Sequence, residues 1–153
     1  MAPYTDLVRT LPAAKFQELF AAQGRQGRDA LVRRHQLRTP VDRGLPRAGA
    51  RQQAQAALLR GRLAEVDDEE ACQQLIRAWL LTRRSLLAAA LDHLEIGHEL
   101  GLTDSDEVHR IADLDHRQRS ELVAALRAHG DEQDIAVYLG FMAAEAAAAR
   151  AAR

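Results

Sequence analysis

The sequence predicts an all-α protein, a single-domain helical bundle of about six or seven helices around a long central helix at about residues 68–100. Alanine is abundant, and aromatic residues make up only 4% of the chain. Alanine is the strongest helix former, whereas aromatic and β-branched residues favour strands. Apolar residues also recur at helical spacing through most of the chain, and capping residues precede several of these runs.

The first half of the chain is predicted to contain three helices. Pro12 suits the first turn of a helix that runs to about Gln23, with Gly24 ending it. A second helix is expected over Arg28 to Leu37. A Pro/Gly linker over residues 38–49 then interrupts the pattern, because proline disfavours helix before it and lacks an amide donor. A helical pattern resumes over residues 48–66.

Helix starts in the second half are marked by a capping residue followed three positions later by a second acceptor. Glycines at positions 101 and 130 stand where a left-handed residue would close the preceding helix. These signals predict helices at about 68–100, 104–113, 116–129 and 132–150. The capping pairs are Asp67 with Glu70, Thr103 with Asp106, Asp115 with Gln118, and Asp131 with Asp134.

The predicted helix at 68–100 is apolar on nearly all sides between Leu75 and Leu100. A helix with this pattern is normally surrounded by other helices, so we expect it at the centre of the bundle. Its apolar stretch at 71–91 contains Arg77, Arg83 and Arg84, and arginine is costly at the centre of a bilayer. The stretch is therefore predicted to be a buried helix and not a membrane span.

The charges are separated along the chain. Residues 1–64 carry twelve basic and four acidic side chains, a net charge of +8, whereas residues 65–153 carry nine and eighteen, a net charge of −9. We expect one domain over residues 1–153, with a basic half at 1–66 and an acidic helical half at 67–153. Charge separation of this kind favours binding, because complementary fields steer association.

The sequence contains one cysteine, Cys72, so an internal disulfide is impossible. The N-terminal residues lack the basic start and apolar run of a secretory signal. Both observations are typical of a cytoplasmic protein.

No catalytic residues are predicted, and no cofactor. Serines at 85, 105 and 120 lie outside a G-x-S-x-G motif, and the segment Gly24–Gly27 has neither the length nor the lysine of a phosphate-binding loop. Cys72 lies in the first turns of an acidic helix, which is the wrong place for an activated thiolate. The protein is therefore expected not to be an enzyme.

A segment rich in His, Asp and Glu at 92–116 offers weak metal candidates. Glu95 and His98 have the E-x-x-H spacing of carboxylate-bridged metal bundles, and Glu99 is a third candidate ligand. A second E-x-x-H is absent, and His98 continues an apolar helical stripe, so a core or rim histidine is the simpler interpretation.

The basic segment between Arg25 and Arg62 is the main candidate binding site. Guanidinium groups suit carboxylates and phosphates alike. The segment contains no aromatic side chain on which bases could stack. The residues predicted to form a basic binding face are Arg25, Arg28, Arg33, Arg34, Arg38, Arg43, Arg47 and Arg51.

Three functions are compatible with these patterns. The first is a non-enzymatic small helical adaptor or structural subunit that docks on a protein partner, or on another copy of itself, through segregated basic and acidic faces. The second is a nucleic-acid-binding subunit of a larger complex, with the arginines of residues 25–62 on phosphates. The third is a metal-binding helical bundle. Alternatively, the basic and acidic halves of one chain could pair with each other, which would leave no docking face.

Overall fold

A computed structural model describes residues 2–38 and 48–153. The all-α prediction is confirmed, since the described residues form helices and no strand. Glu99 and Leu102 form an isolated antiparallel β-bridge. The helices are α1 (Pro3–Arg9), α2 (Ala13–Ala21), α3 (Gly24–Arg34), α4 (Ala48–Glu65), α5 (Glu69–Leu80), α6 (Arg84–His93), a 3₁₀ helix (Asp106–Asp113), α7 (His116–Leu126) and α8 (Glu132–Ala151).

The described chain groups into two compact units, Met1–Trp79 and Leu80–Arg153. Each has its own buried apolar residues, and the single-domain organisation stays a prediction. None of the described helices is both long enough and apolar enough to cross a bilayer.

In the first unit, α2 packs against α3 and α4, and α4 also contacts α1 and α3. Phe16, Leu19 and Phe20 of α2 are fully buried, as are Leu59 of α4 and Leu75 of α5. Their spacing along α2 places all three on one face of the helix, which is the pattern that drives a surface helix onto a core.

Helix α1 was not predicted from the sequence. Its N-terminus has no capping side chain of its own. Instead, the Glu69 carboxylate accepts from the backbone N–H of Thr5 at 2.7 Å and from that of Tyr4 at 3.2 Å. A carboxylate placed at a helix N-terminus satisfies unpaired amides and interacts favourably with the helix dipole. Glu69 is 64 residues from Thr5 in sequence, so only the folded chain brings them together.

The predicted long central helix at 68–100 is wrong as a single element. It is two helices, α5 and α6, separated at residues 81–83, and α6 ends at His93. At the break the Arg83 N–H donates to the Leu80 carbonyl at 2.8 Å, a tighter turn than an α-helix makes. Arg83, with φ −110° and ψ 45°, has left the helical region before α6 starts. Local turn geometry thus outweighs a continuous apolar pattern.

The end of α6 explains why the helix does not reach residue 100. Glu95 adopts φ 57°. Its N–H donates to the Asp92 carbonyl, and the Ile96 N–H donates to the Leu91 carbonyl. This is the hydrogen-bond pattern of a Schellman motif with glutamate in the position that usually holds glycine. Because no glycine stands there, the sequence did not indicate that the helix ends at this point.

In the second unit, α7 packs against α6, and α8 packs against the 3₁₀ helix. Helix α8, the longest described, is confirmed close to its predicted bounds of 132–150, and its buried side chains include Ile135, Tyr138 and Met142. The segment predicted as a helix at 104–113 is a 3₁₀ helix, and the helix predicted at 116–129 ends earlier, at Leu126.

The capping predictions were partly right. Asp115 forms a complete capping box with Gln118, and the Asp131 carboxylate accepts from the Asp134 N–H. For α5 the acceptor is Asp68, which binds the Ala71 N–H at 3.1 Å, and not Asp67. For the 3₁₀ helix it is Ser105, and not Thr103. In both cases the neighbouring residue, one or two positions later, has the short polar side chain that reaches the first-turn amides.

Two predictions in the first half need correction. Gly24 does not end α2 but starts α3, which covers Gly24–Arg34 instead of Arg28 to Leu37. Gly24 has φ 68°, so it makes the left-handed bend between α2 and α3. Most of the predicted linker at 38–49 lies outside the described residues, and its last two positions belong to α4.

Candidate docking groove

The described members of the predicted basic face lie on two helices of the first unit. Helix α3 carries Arg25, Arg28, Arg33 and Arg34, and Arg38 follows its end. Helix α4 carries Arg51. Arg43 and Arg47 lie outside the described residues. Asp29 is exposed on α3 between the arginines and lowers the net charge of that helix.

One arginine of the predicted face is bound within the first unit. Arg34 Nη2 lies 2.7 Å from Asp68 Oδ1, and its Nη1 lies 2.9 Å from Glu70 Oε2. The hydrogen bond with Glu70 and the charge of Asp68 raise the pKa of Arg34 above its ordinary value. Arg34 therefore joins the end of α3 to the start of α5 and is unavailable as a free binding group.

A second ion pair of the same kind is made by Arg9, whose Nη2 lies 2.9 Å from Asp67 Oδ1. Together with Arg34 it neutralises part of the 67–70 acidic run inside the first unit. Arg28 donates to the Ala21 carbonyl at 3.0 Å, and Arg60 donates to the Leu11 carbonyl at 3.1 Å. These arginines hold turns and helices of the unit in place.

The remaining arginines of this surface are exposed and make no ion pair or hydrogen bond through their side chains with the described residues. Internal neutralisation is thus incomplete in the described part of the first unit. They are Arg25, Arg33, Arg38, Arg51 and Arg62.

Two of these free arginines border an open groove of about 470 Å³ between the end of α3 and the second half of α4. We call it the α3–α4 groove. Leu37 and Leu58 supply its apolar part, and Leu58 is 41% exposed. Its full lining is His35, Gln36, Leu37, Arg38, Leu58, Gly61, Arg62 and Glu65.

The α3 side of the groove is shaped by the end of the helix. Gln36 adopts φ 51°. Its N–H donates to the Arg33 carbonyl, and the Leu37 N–H donates to the Val32 carbonyl. This is a second Schellman motif with a non-glycine residue in the left-handed position. It turns the chain sharply, so that Leu37 and Arg38 leave the helix axis and line the groove.

His35, which precedes this turn, contacts Asp68 at the start of α5. The His35 side chain is 6% exposed, and its Nε2 lies 3.0 Å from Asp68 Oδ2, although the two are not aligned for a hydrogen bond. Asp68 also caps α5 and binds Arg34. One carboxylate therefore fixes the end of α3, and with it one wall of the groove, against the start of α5.

The weak metal candidates are not brought together as a ligand set. His98 uses both ring nitrogens: Nδ1 accepts from the Gly101 N–H at 3.0 Å, and Nε2 lies 2.9 Å from Asp92 Oδ1. Glu95 and Glu99 are exposed. Within residues 2–38 and 48–153, no three His, Cys, Asp or Glu side chains are placed to hold a metal ion.

One polar pair, which no sequence motif indicated, consists of the serine and histidine types found in catalytic triads. Ser85 Oγ lies 2.5 Å from His129 Nδ1. Both residues are exposed, and in the described chain His129 has no carboxylate to orient its ring. Cys72 is fully buried, and burial raises the pKa of its thiol to about 11. The Ser85–His129 pair therefore lacks the orienting carboxylate of a triad among the described residues, and the Cys72 thiol is held in its neutral form.

No protein-family model, no curated protein and no solved structure matches this chain.

Proposed function

We propose that this protein is a non-enzymatic helical adaptor or structural subunit that docks on protein through the α3–α4 groove. The observation that carries the proposal is the pairing of exposed apolar surface, Leu58, with two exposed arginines that have no partner among the described residues, Arg38 and Arg62. An apolar contact flanked by free charges is the usual composition of a protein-binding patch.

The chemistry of the groove defines the segment it would accept. The guanidinium groups of Arg38 and Arg62 are suited to carboxylates, which they can bind through two hydrogen bonds at once. Leu37 and Leu58 can pack against an apolar side chain between those carboxylates. The expected ligand is therefore a segment in which leucine or a similar residue is flanked by glutamate or aspartate.

The same free arginines make nucleic acid the competing candidate. One feature of the groove favours protein. Its apolar part consists of aliphatic side chains, which offer no ring for a base to stack on. Arg34, central to the predicted basic face, is already committed to Asp68 and Glu70.

The test uses a fluorescent peptide with two leucines flanked by glutamates, and the same peptide with glutamines in place of the glutamates. We expect the acidic peptide to bind and the glutamine peptide to bind at least tenfold more weakly, because the carboxylates supply charge-assisted hydrogen bonds. The double variant Arg38→Glu/Arg62→Glu should lose binding of the acidic peptide while keeping the helical circular dichroism of the parent.

A matched control reverses the same charge elsewhere on the two helices. Arg25→Glu/Arg51→Glu alters exposed arginines that have no partner among residues 2–38 and 48–153 and do not line the groove. It should retain most of the peptide affinity. Equal losses in both double variants would show binding by net charge alone. Tight binding of a short DNA duplex that weakens steeply with salt, with no binding of either peptide, would overturn the protein-docking proposal in favour of nucleic acid.

A further inference from the structure

The second unit exposes two leucines on a tight turn, which we call the leucine turn (residues 99–102). Leu100 is 75% exposed and Leu102 is 45% exposed. The Glu99 N–H donates to the Leu102 carbonyl at 2.8 Å, and the Leu102 N–H donates to the Glu99 carbonyl at 3.0 Å. With Leu100 at φ 50° and Gly101 at φ 83°, the turn has the left-handed central residues of a type I′ hairpin.

The residue at the tip of the turn is a poor choice for local stability. Asparagine, aspartate and glycine are the residues that tolerate the left-handed region, whereas leucine does not favour it. Leu100 also gains no burial in return. Leu100 is therefore disfavoured both by its backbone conformation and by its exposure within the described chain.

The turn is nevertheless held firmly from below. Gly101 is buried against α6, and a Cβ placed there would lie 2.8 Å from the Leu87 Cβ and 2.9 Å from the Arg84 carbonyl oxygen. The Gly101 N–H donates to His98 Nδ1, and Arg84 Nη1 donates to the Leu100 carbonyl at 3.4 Å. A recognition loop that is fixed before binding loses less conformational entropy when it binds.

Carboxylates surround the exposed leucines. Glu99 and Asp104 are exposed, and neither makes an ion pair with a described residue. With Leu100, Leu102, Thr103 and Arg84 they line an open depression of about 520 Å³. The leucine turn and the adjoining Asp104 thus display two aliphatic side chains flanked by carboxylates that have no ion pair with a described residue.

We propose that the leucine turn of one copy of this protein docks in the α3–α4 groove of a second copy. Leu100 and Leu102 would meet Leu37 and Leu58, while Glu99 and Asp104 would meet Arg38 and Arg62. The groove is suited to a leucine flanked by carboxylates. Residues 99–104 of this same chain have that composition, with two leucines between Glu99 and Asp104. This inference rests on the proposed function of the groove and names its partner.

The geometry of this contact sets the form of the assembly. The two surfaces are different, so each copy contributes one groove and one turn to two separate contacts. Such a head-to-tail interface extends the assembly until it closes into a ring or continues as a chain. Small patches of this size are typical of weak, reversible association.

The test is a mixing experiment with two variants. The groove variant, Arg38→Glu/Arg62→Glu, keeps an intact turn, and the turn variant, Glu99→Gln/Leu100→Asp, keeps an intact groove and introduces no cation that could pair with the new glutamates. We expect the parent protein to grow in mass with concentration up to about 1 mM in sedimentation velocity, and each variant alone to stay monomeric. An equimolar mixture should form a one-to-one complex and nothing larger, because each variant retains one half of the contact.

A third variant separates association from folding. Leu100→Asn suits the left-handed backbone, so it should raise the melting temperature by a few degrees while weakening self-association at least tenfold. A purely structural role for Leu100 predicts no such combination.

The outcomes also separate this inference from the proposed function. A parent protein that stays monomeric up to about 1 mM, or variants that remain separate on mixing, would overturn docking of a second copy. If the groove still binds the acidic leucine peptide in that case, the docking function stands with another protein as partner. If the peptide fails as well, both proposals fall.

Discussion

Arg34 and Asp68 form an ion pair at 2.7 Å that links the end of α3 to the start of α5. Arg33, its neighbour in sequence, is exposed and has no side-chain partner among the described residues. Two adjacent arginines of one basic run thus have opposite roles, one in holding the first unit together and one on its surface.

The first prediction follows from this contrast. Arg34→Ala removes contacts with Asp68 and Glu70 and should lower the free energy of unfolding by about 1 kcal/mol, the upper range for partly exposed ion pairs. Arg33→Ala should change it by less than about 0.5 kcal/mol, as for most surface substitutions. Urea unfolding followed by circular dichroism measures both. Equal effects of the two substitutions would contradict the assignment of separate roles.

The sequence predicted the helical class because that class depends on composition and spacing, which are local. It also predicted Asp115 and Asp131 as caps, since a cap and its amides lie within four residues. It failed where a distant residue decides. Nothing near Lys15 indicates that its Nζ is buried 5.4 Å from the centre of the Trp79 ring, 64 residues away.

The groove shows the same division. The arginine-rich composition of the segment was evident from the sequence. That Arg34 is paired while Arg38 stays exposed depends on Asp68 and Glu70, which lie more than 30 residues from Arg34 in the chain. The bend that places Leu37 and Arg38 beside α4 depends on a left-handed Gln36, which has no composition signal of the kind that glycine gives. The leucine turn was missed because residues 99 and 100 were expected to end the predicted helix at 68–100, with Gly101 closing it.

The second prediction concerns the capping of α1 from α5. Glu69→Ala removes the acceptor for the Thr5 and Tyr4 amides and should lower the free energy of unfolding by about 1 to 2 kcal/mol, as loss of an N-cap does. Hydrogen exchange at these two amides should accelerate more than elsewhere in the first unit. Glu65→Ala is the matched control, because Glu65 is exposed and has no side-chain partner in the described chain. Unchanged exchange at Thr5 in Glu69→Ala would refute the capping role.

The third prediction concerns the ionisation of Cys72. Burial raises the pKa of the thiol from 9.0 to about 11. Because the folded state favours the neutral thiol, this contribution to stability is complete below pH 9.0 and is lost as the pH rises through about 11. Tyr138 acts in the same direction, since burial raises its pKa as well.

The measurement is the rate of alkylation by iodoacetamide as a function of pH. In the folded protein the rate should stay low at pH 8 and rise with a midpoint near 11, whereas in urea the midpoint should return to about 9. Rapid alkylation of the folded protein at pH 8 would show an exposed or activated thiol and would reopen the case for a reactive cysteine.

The fourth prediction compares two glycines that flank His98. Gly101 has φ 83°, and a Cβ there would clash with the Leu87 Cβ at 2.8 Å and with backbone atoms of α6 at 2.9 and 3.0 Å. Backbone atoms cannot move aside as a flexible side chain can, so Gly101→Ala should displace the leucine turn and lower the free energy of unfolding by about 2 kcal/mol or more.

Gly97 has no positive φ and nothing within 4 Å of an added Cβ. Gly97→Ala should therefore leave stability within about 0.5 kcal/mol of the parent, or raise it slightly by restricting the unfolded chain. Thermal melts of both variants test the comparison, and self-association of Gly101→Ala should fall together with its stability because the turn no longer presents Leu100 in a fixed position. A Gly101→Ala protein as stable as Gly97→Ala would mean that the turn is not anchored on α6.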